Sequence, residues 1–234
     1  MACDAAMSAL ISGLVLASLE PVTIGTDAPF PAYTFQDEAG TITGFERDVM
    51  DEICARAMLD CAWVDANFEN LIPGLQTGRF DIVLGGMAIT AERRLRVDFT
   101  MPYHYADDIE WFVGRPGAPE PEVAMVAVQS GTVHHDHLRQ NRYRHRAYAT
   151  EKEVLDALIS GKADLAFGPY EAREDIDALL SANGMDFLYT ATVPDEGVAM
   201  AVCKGNAALL ARLNAALTAM EADGTLDRLE TVWF

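Results

Sequence analysis

The chain has 234 residues, half of them hydrophobic, and 36 acidic against 17 basic side chains give it a formal charge of −19. These numbers describe a globular protein of one large or two small domains. The acidic excess argues against binding nucleic acid or an anionic membrane surface, since both need basic patches. The longest apolar run, AAMSALISGLVLAS (5–18), falls short of the ~20 residues that span a bilayer. It follows Asp4 and no Lys or Arg, so it reads as an N-terminal helix of a chain whose signal peptide has been removed, rather than as the signal itself.

From residue 22 the pattern alternates strand and helix. VTIGTD (22–27) predicts a buried strand ending in a polar turn, and residues 28–44, with Phe30, Tyr33, Phe35, two prolines and two glycines, predict a loop and hairpin. ERDVMDEICARAML (46–59) carries a helical apolar stripe, CAWVDA (61–66) a strand, NFENLIPGLQTG (67–78) a short helix closed by Gly78, and FDIVLGG (80–86) a second buried strand. The order then recurs. VAMVAVQSGT (123–132) is a strand with a Gly turn, VHHDHLRQ (133–140) opens a helix, EKEVLDALISG (151–161) is an amphipathic helix, and ADLAFG (163–168) is a strand. LIPGLQTGRFDIVLGG and VLDALISGKADLAFGP share a helix–Gly–basic–Asp–strand pattern, which marks equivalent units in two lobes. GRPGAPEPE (114–122) suits a surface loop. GVAMAVCK (197–204) returns as a strand, followed by a long helix over 206–224 and a short one ending in Trp233 and Phe234. Crossover strands are expected near 107–113 and 197–202. Such β-α-β units argue for an α/β fold, and two lobes joined by two crossovers form a hinge.

Several residues invite chemistry. Arg93, Arg94 and Arg96 follow the glycines of GGMAITAERRLR within a strongly acidic chain, which suggests that one of them holds an anion. Cys54 and Cys61 lie across a helix end and the next strand. Their spacing is not CxxC, so a zinc or redox motif is disfavoured, and a helix-to-strand disulfide and two buried thiols remain as alternatives. His134 and His137 are spaced i, i+3, but only Asp136 lies nearby as a further ligand. A solvated helix end is expected there, not a metal.

The blocks TIGTDAPFPAYTF, GFERDVMDEICARA, ENLIPGLQTGRFDIVLGGMAITAERRLRVDFTMPY, VAVQSGT, ALISGKADLAFG and the segment from Gly197 to Phe234, taken in order, resemble family 3 of the bacterial extracellular solute-binding proteins, the polar-amino-acid group serving ABC importers. The resemblance implies a type 2 periplasmic-binding-protein fold, each lobe a mixed, mainly parallel sheet flanked by helices. Lobe I would comprise 20–106 and 200–234, lobe II 107–199, and residues 1–19 an N-terminal extension. It further implies a monomeric, non-catalytic periplasmic protein without a cofactor or metal, which closes around a small carboxylate-bearing ligand and delivers it to an inner-membrane ABC permease.

The same resemblance assigns Arg93 to the ligand carboxylate, a role that suits a planar, bidentate guanidinium, and leaves Arg94 and Arg96 to solvent or local pairs. In the 85–88 turn, the Ala88 N–H becomes a donor and the Gly86 C=O an acceptor for an ammonium. On lobe II, Gln129, Thr132 and Val133 stand at a helix N-terminus that suits the same carboxylate. Asp27 falls on the position that reads the ligand side chain, and Phe30, Tyr33 and Phe68 complete the pocket wall. Cys54–Cys61 coincides with a disulfide of the basic-amino-acid members, and a Cys3–Cys203 bond would tie down the N-terminal segment. One departure stands out. The acid that pairs the α-ammonium, expected just after ADLAF, is replaced by Pro169, with Glu171 two residues on as a substitute. This leaves room for a betaine, an opine or a modified amino acid. It also leaves two other readings: an enzyme like cyclohexadienyl dehydratase, with Glu171 as general acid, or a sensory receptor domain.

Overall fold

The computed structural model describes residues 19–105 and 109–234. The apolar run 5–18, Cys3 and its expected bond to Cys203, and the start of the first expected crossover lie outside the described residues. The chain divides into two compact units. The first runs to Ala66 and takes in Asn70–Tyr105 and Glu196–Phe234; the second is Asn67–Glu69 with Ala106–Asp195.

The first unit holds β1 (Glu20–Thr26), a small hairpin of β2 (Phe35–Gln36) and β3 (Ile42–Thr43), α1 (Phe45–Arg56), β4 (Leu59–Asp65), α2 (Leu71–Gln76), β5 (Ile82–Val83), α3 (Ala91–Arg94) and β6 (Val97–Phe99). A 3₁₀ turn, Phe68–Asn70, spans the chain boundary between the units, and the second holds β7 (Ile109–Gly114), β8 (Val126–Gln129), α4 (Val133–Gln140), β9 (His145–Tyr148), α5 (Glu151–Ile159), β10 (Leu165–Gly168), α6 (Glu174–Ala182) and β11 (Asp186–Thr192). The chain returns to the first unit as β12 (Ala201–Cys203), α7 (Ala207–Ala222) and α8 (Thr225–Trp233).

Each unit is built on a five-stranded mixed sheet, ordered β4-β1-β5-β12-β6 in the first and β11-β7-β10-β8-β9 in the second. In the first, β1 runs parallel to both β4 and β5, and β12 is antiparallel to β5 and β6. In the second, β8 runs parallel to both β9 and β10, and β7 is antiparallel to β10 and β11. The orders β4-β1-β5-β12 and β9-β8-β10-β7 therefore correspond strand for strand. The matching sequence patterns at α2–β5 and α5–β10 occupy equivalent places, as the repeat predicted. In both units the chain leaves a central strand, crosses to one side and then returns to the other. The carboxyl ends of such neighbouring parallel strands form a crevice where ligands bind in open α/β sheets.

In the first unit, Val22, Ile24, Phe45, Met50, Ile82, Met200, Leu213 and Leu217 form a continuous core between the sheet, α1 and α7. The second sheet is covered on both faces, by Val154, Leu158, Ile176 and Leu180 on one and by Phe112, Val128, Leu138 and Phe167 on the other. Burial on both faces explains the near-continuous apolar runs of β8 and β10. Cys54 of α1 and Cys61 of β4 form a disulfide, so the alternative of two thiols is excluded. It closes a short loop, which by chain entropy is worth about 2.5 kcal/mol. Cys54→Ser/Cys61→Ser is expected to lower the stability of the first unit by that order, measured as a lowered urea midpoint with an unchanged slope.

Candidate functional site

In the first unit, Asp27 follows β1 and is buried. The Thr34 hydroxyl donates to the Asp27 carbonyl at 3.0 Å. With its proton committed there, Thr34 Oγ1 accepts from the Thr26 hydroxyl, also at 3.0 Å. Phe30 and Thr34 exchange backbone hydrogen bonds of 2.7 and 2.8 Å. The loop between β1 and β2 is fixed from below by α1, whose first N–H groups, Phe45 and Glu46, donate to the carbonyls of Ala32 (2.8 Å) and Tyr33 (3.0 Å). Gly44 makes that junction possible, since a Cβ there would lie 2.2 Å from the Tyr33 oxygen. The Phe30 and Tyr33 rings stack at 4.7 Å with planes 11° apart. Tyr33 is backed edge-on by His104 and Phe234, and His104 is held by Glu230 of α8 at 2.7 Å.

The second element of this half-site follows β5. Gly85 and Gly86 take φ values of +133° and +61°, which disfavour side chains, and a Cβ on Gly86 would meet the Phe30 ring at 2.4 Å. The aromatic loop thus lies directly on the turn. The Gly86 N–H points inward to both carboxylate oxygens of Glu46, at 2.9 and 3.0 Å. Downstream, Ala88 pairs with Val198 through the flanking bonds Ile89 N–H to Gly197 O and Ala199 N–H to Met87 O. In such a pair the N–H and C=O of Ala88 itself face the other way. The C=O accepts Arg93 Nη1 at 2.7 Å. The N–H donates to no protein group among the described residues. Thr90 caps α3 by accepting the Arg93 N–H at 3.2 Å, and Arg93 is only 6% exposed. Its neighbours behave differently, as anticipated: Arg94 pairs with Glu196 at 2.7 Å and Arg96 donates to Gln76 at 3.1 Å, both at the surface.

In the second unit, Gln129 ends β8. Its carbonyl accepts the Thr132 hydroxyl at 2.9 Å, and Thr132 Oγ1 in turn caps α4 by accepting the His135 N–H at 3.2 Å. Val133 is the first residue of that helix. Phe68, assigned to lobe I from the sequence, lies in the Asn67–Glu69 segment that clusters with the second unit. There Glu69 packs so close to Gly131 that a Cβ on the glycine would fall 3.0 Å from the Glu69 Cα. After β10 comes half-buried Pro169, then buried Tyr170 and exposed Glu171, so no acid stands directly at the strand end. The solvated helix end expected at the histidines needs correction. His134 is 6% exposed, lies edge-on to Phe167 at 5.2 Å and sits 3.1 Å from Glu110, without the alignment of a good hydrogen bond. The sheet face of α4 draws it in, because Phe167 gives its ring an apolar partner. Among the described residues, no group of three or more His, Cys, Asp or Glu side chains is placed to hold a metal ion, and no helix is long and apolar enough to cross a membrane.

In each unit, then, the predicted residues gather at the carboxyl ends of parallel strands: Asp27 after β1, Phe68 after β4, Gly86 and Ala88 after β5, Gln129, Thr132 and Val133 after β8, and Glu171 after β10. The sequence profile of the bacterial extracellular solute-binding proteins, family 3, matches residues 22–234. The chain belongs to that family. Among family members, the L-arginine-binding protein of Pseudomonas aeruginosa is 28% identical over 92% of this chain and 88% of its own length. ABC transporter arginine-binding protein 1 of Escherichia coli is 27% identical over 97% of this chain and 99% of its own. Among solved structures, a periplasmic His/Glu/Gln/Arg/opine family-binding protein from Silicibacter pomeroyi in complex with lysine is 32% identical. It superposes with a TM-score of 0.82, covering 91% of this chain and 96% of that one.

One residue of this family member was not singled out from its sequence. Glu46, in the GFERD block, reads there as one of several acids in the first turn of a helix. In the fold it is 1% exposed and accepts the Tyr103 hydroxyl at 2.5 Å as well as the Gly86 N–H. Burial raises its pKa to about 7, against the lowering effect of Tyr103 and of the backbone of Gly86 and Gly85. A raised carboxylate stabilises the fold most below its unfolded value, near 4.5, and that contribution is lost as pH climbs to about 7. A paired signal was present in the sequence: a carboxylate opening a helix and a Gly-Gly turn opening forty residues later.

Proposed function

We propose that this protein is the periplasmic solute-binding component of an ABC importer and that it binds an amino acid with a cationic side chain. The observation that carries the reading is Arg93. A guanidinium that is almost fully buried, donates to the Ala88 carbonyl at 2.7 Å and lies on the same turn as the outward-facing Ala88 N–H brings a cation and a donor suited to one carboxylate. In the second unit, the backbone N–H groups at Thr132 and Val133, at the start of α4, are likewise suited to a carboxylate. Buried Asp27 at the end of β1 would read a cationic side chain, with Phe30, Tyr33 and Phe68 covering its apolar stem. The arginine and lysine ligands named for relatives favour this choice over a betaine or an opine. The α-ammonium, without an acid at Pro169, would be taken by the Gly86 carbonyl and Glu171. The relatives are named as binding proteins, and the role assigned to every residue here is to bind, orient or exclude water; none requires turnover.

The test is a thermal-shift screen of arginine, lysine, ornithine, histidine, glutamate, glycine betaine and octopine. A ligand that binds only the native state raises the melting temperature by mass action. Large shifts are expected with arginine, lysine or ornithine. Shifts restricted to betaine or octopine would sink the α-ammonium assignment, and none with any compound would sink the reading.

A further inference from the structure

Glu46 is given no contact with the ligand itself, yet it holds the turn on which the proposed site depends. Both of its carboxylate oxygens accept the Gly86 N–H, at 2.9 and 3.0 Å. Gly86 has a left-handed φ of +61°, which glycine adopts freely among many others, so the turn gains from a hydrogen-bond anchor beneath it. The anchor is itself rigid. Glu46 sits in the first turn of α1, its own N–H donates to the Tyr33 carbonyl at 3.0 Å, and Tyr103 Oη donates to it at 2.5 Å. We infer that Glu46 is a positioning residue of the binding site: its carboxylate, in the ionised form, fixes the Gly85–Gly86 turn and so makes ligand affinity proton-linked. The inference rests on the reading that the 85–88 turn and Arg93 contact the ligand.

The direction follows from hydrogen-bond chemistry. An ionised carboxylate accepts at both oxygens and forms charge-assisted bonds roughly twice as strong as neutral ones. A protonated one gains a donor and keeps only one full acceptor oxygen; the Tyr103 hydroxyl can reverse to accept that proton, but the Gly86 N–H, which spans both oxygens at 2.9 and 3.0 Å, can only donate. Protonation therefore replaces a charge-assisted, two-oxygen acceptor of the Gly86 N–H with a neutral one and loosens the turn. The buried negative charge would also favour a cationic ligand group at the Gly86 carbonyl.

The charged and titratable groups near Glu46 come from the β1–β2 loop, the segment after β6 and α1 itself. From the β1–β2 loop comes Tyr33, which bears on Tyr103. From the segment after β6 come Tyr103 and, beyond the Phe45 ring, His104, which is committed to Glu230 of α8. On α1 itself Arg47 pairs with Asp51, and Asp48 accepts the Trp233 indole N–H. Among the described residues no cation acts on the carboxylate, whose own pKa lies at about 7.

The experiment follows L-arginine, L-lysine and L-histidine by isothermal titration from pH 5.5 to 8.5 in the parent, Glu46→Gln and Tyr103→Phe, with the Gly86 amide followed by NMR in the ligand-free proteins. Affinity of the parent is expected to rise about tenfold across the range relative to Glu46→Gln, which carries any titration of the ligand itself. The midpoint should coincide with that of the Gly86 amide shift. Tyr103→Phe should move both midpoints upward together, because the lost hydrogen bond had favoured the anion. A merely structural Glu46 would not produce that joint displacement. Parent and Glu46→Gln affinities that run parallel with pH, or a Gly86 amide that does not move, would overturn the inference while leaving the amino-acid reading intact. Failure of all three amino acids to bind at any pH would overturn the parent reading and this one with it.

Discussion

Arg93→Ala is expected to abolish tight amino-acid binding while leaving the ligand-free protein folded. The guanidinium is nearly fully buried, so a carboxylate it holds has exchanged water for this one cation. Truncating one partner of a buried, hydrogen-bonded charge pair costs about 2–5 kcal/mol, roughly thirtyfold to several thousandfold in Kd. Arg93→Lys separates charge from geometry. A lysine keeps the cation but cannot donate to the Ala88 carbonyl and present a two-toothed fork at once, so it should recover only part of the loss. Isothermal titration with L-arginine, alongside the melting temperature of each ligand-free variant, distinguishes the two effects. The Ala88 carbonyl at 2.7 Å loses its partner in Arg93→Ala, and a fall of a few degrees in melting temperature is acceptable. Undiminished affinity in Arg93→Ala would remove the carboxylate clamp from the account.

Arg93, and not its neighbours, was legible only through the family resemblance, because one Arg after a strand is by itself more often a structural ion pair. The fold supplies the physical reason: Thr90 caps α3, and four residues of helix turn Arg93 under while Arg94 and Arg96 are left to surface partners. The repeat of α2–β5 in α5–β10 was legible from the residues themselves: the same buried strand follows the same helix stop. What could not be read was contact between distant segments. Glu46 meets Gly86 across forty residues, and nothing in GFERDVMD distinguishes it from Asp48, which accepts the Trp233 indole N–H, or from exposed Asp51, which pairs with Arg47. The burial of His134 depends likewise on Phe167 of β10 lying beneath α4, a neighbour supplied by the sheet order and not by the VHHDHL motif. Phe68 reads from the sequence as the start of the short helix over 67–78 and as part of lobe I, whereas Asn67–Glu69 clusters with the second unit.

The turn after β10 depends on a second buried charge, and Arg173→Met is expected to destabilise the second unit by about 3–5 kcal/mol, because removing one member of a buried pair strands the other. Arg173 donates through both terminal nitrogens to Glu151, at 2.7 and 2.8 Å, and through Nε and Nη2 to Asp175, at 3.2 and 2.7 Å. Its side chain and that of Glu151 are 8% and 13% exposed, whereas Asp175 is half-exposed. The loss therefore falls on Glu151, whose carboxylate at the start of α5 would face apolar surroundings alone. Glu151→Leu combined with Arg173→Met removes both charges and should restore most of the stability, since buried ion pairs replaced by apolar side chains of similar volume are often neutral. Urea denaturation of the single and double variants reads this directly. Equal loss in both would mean that the side chains matter for shape and not for charge. The pair joins the start of α5 to the residue just before α6, and the chain leading into that residue, from Pro169 through Ala172 with its φ of +54°, is the segment that presents Glu171. If the double variant folds as well as the parent but binds arginine more weakly, the ion pair serves to set that turn, and stability and ligand recognition in the second unit are properties of one junction.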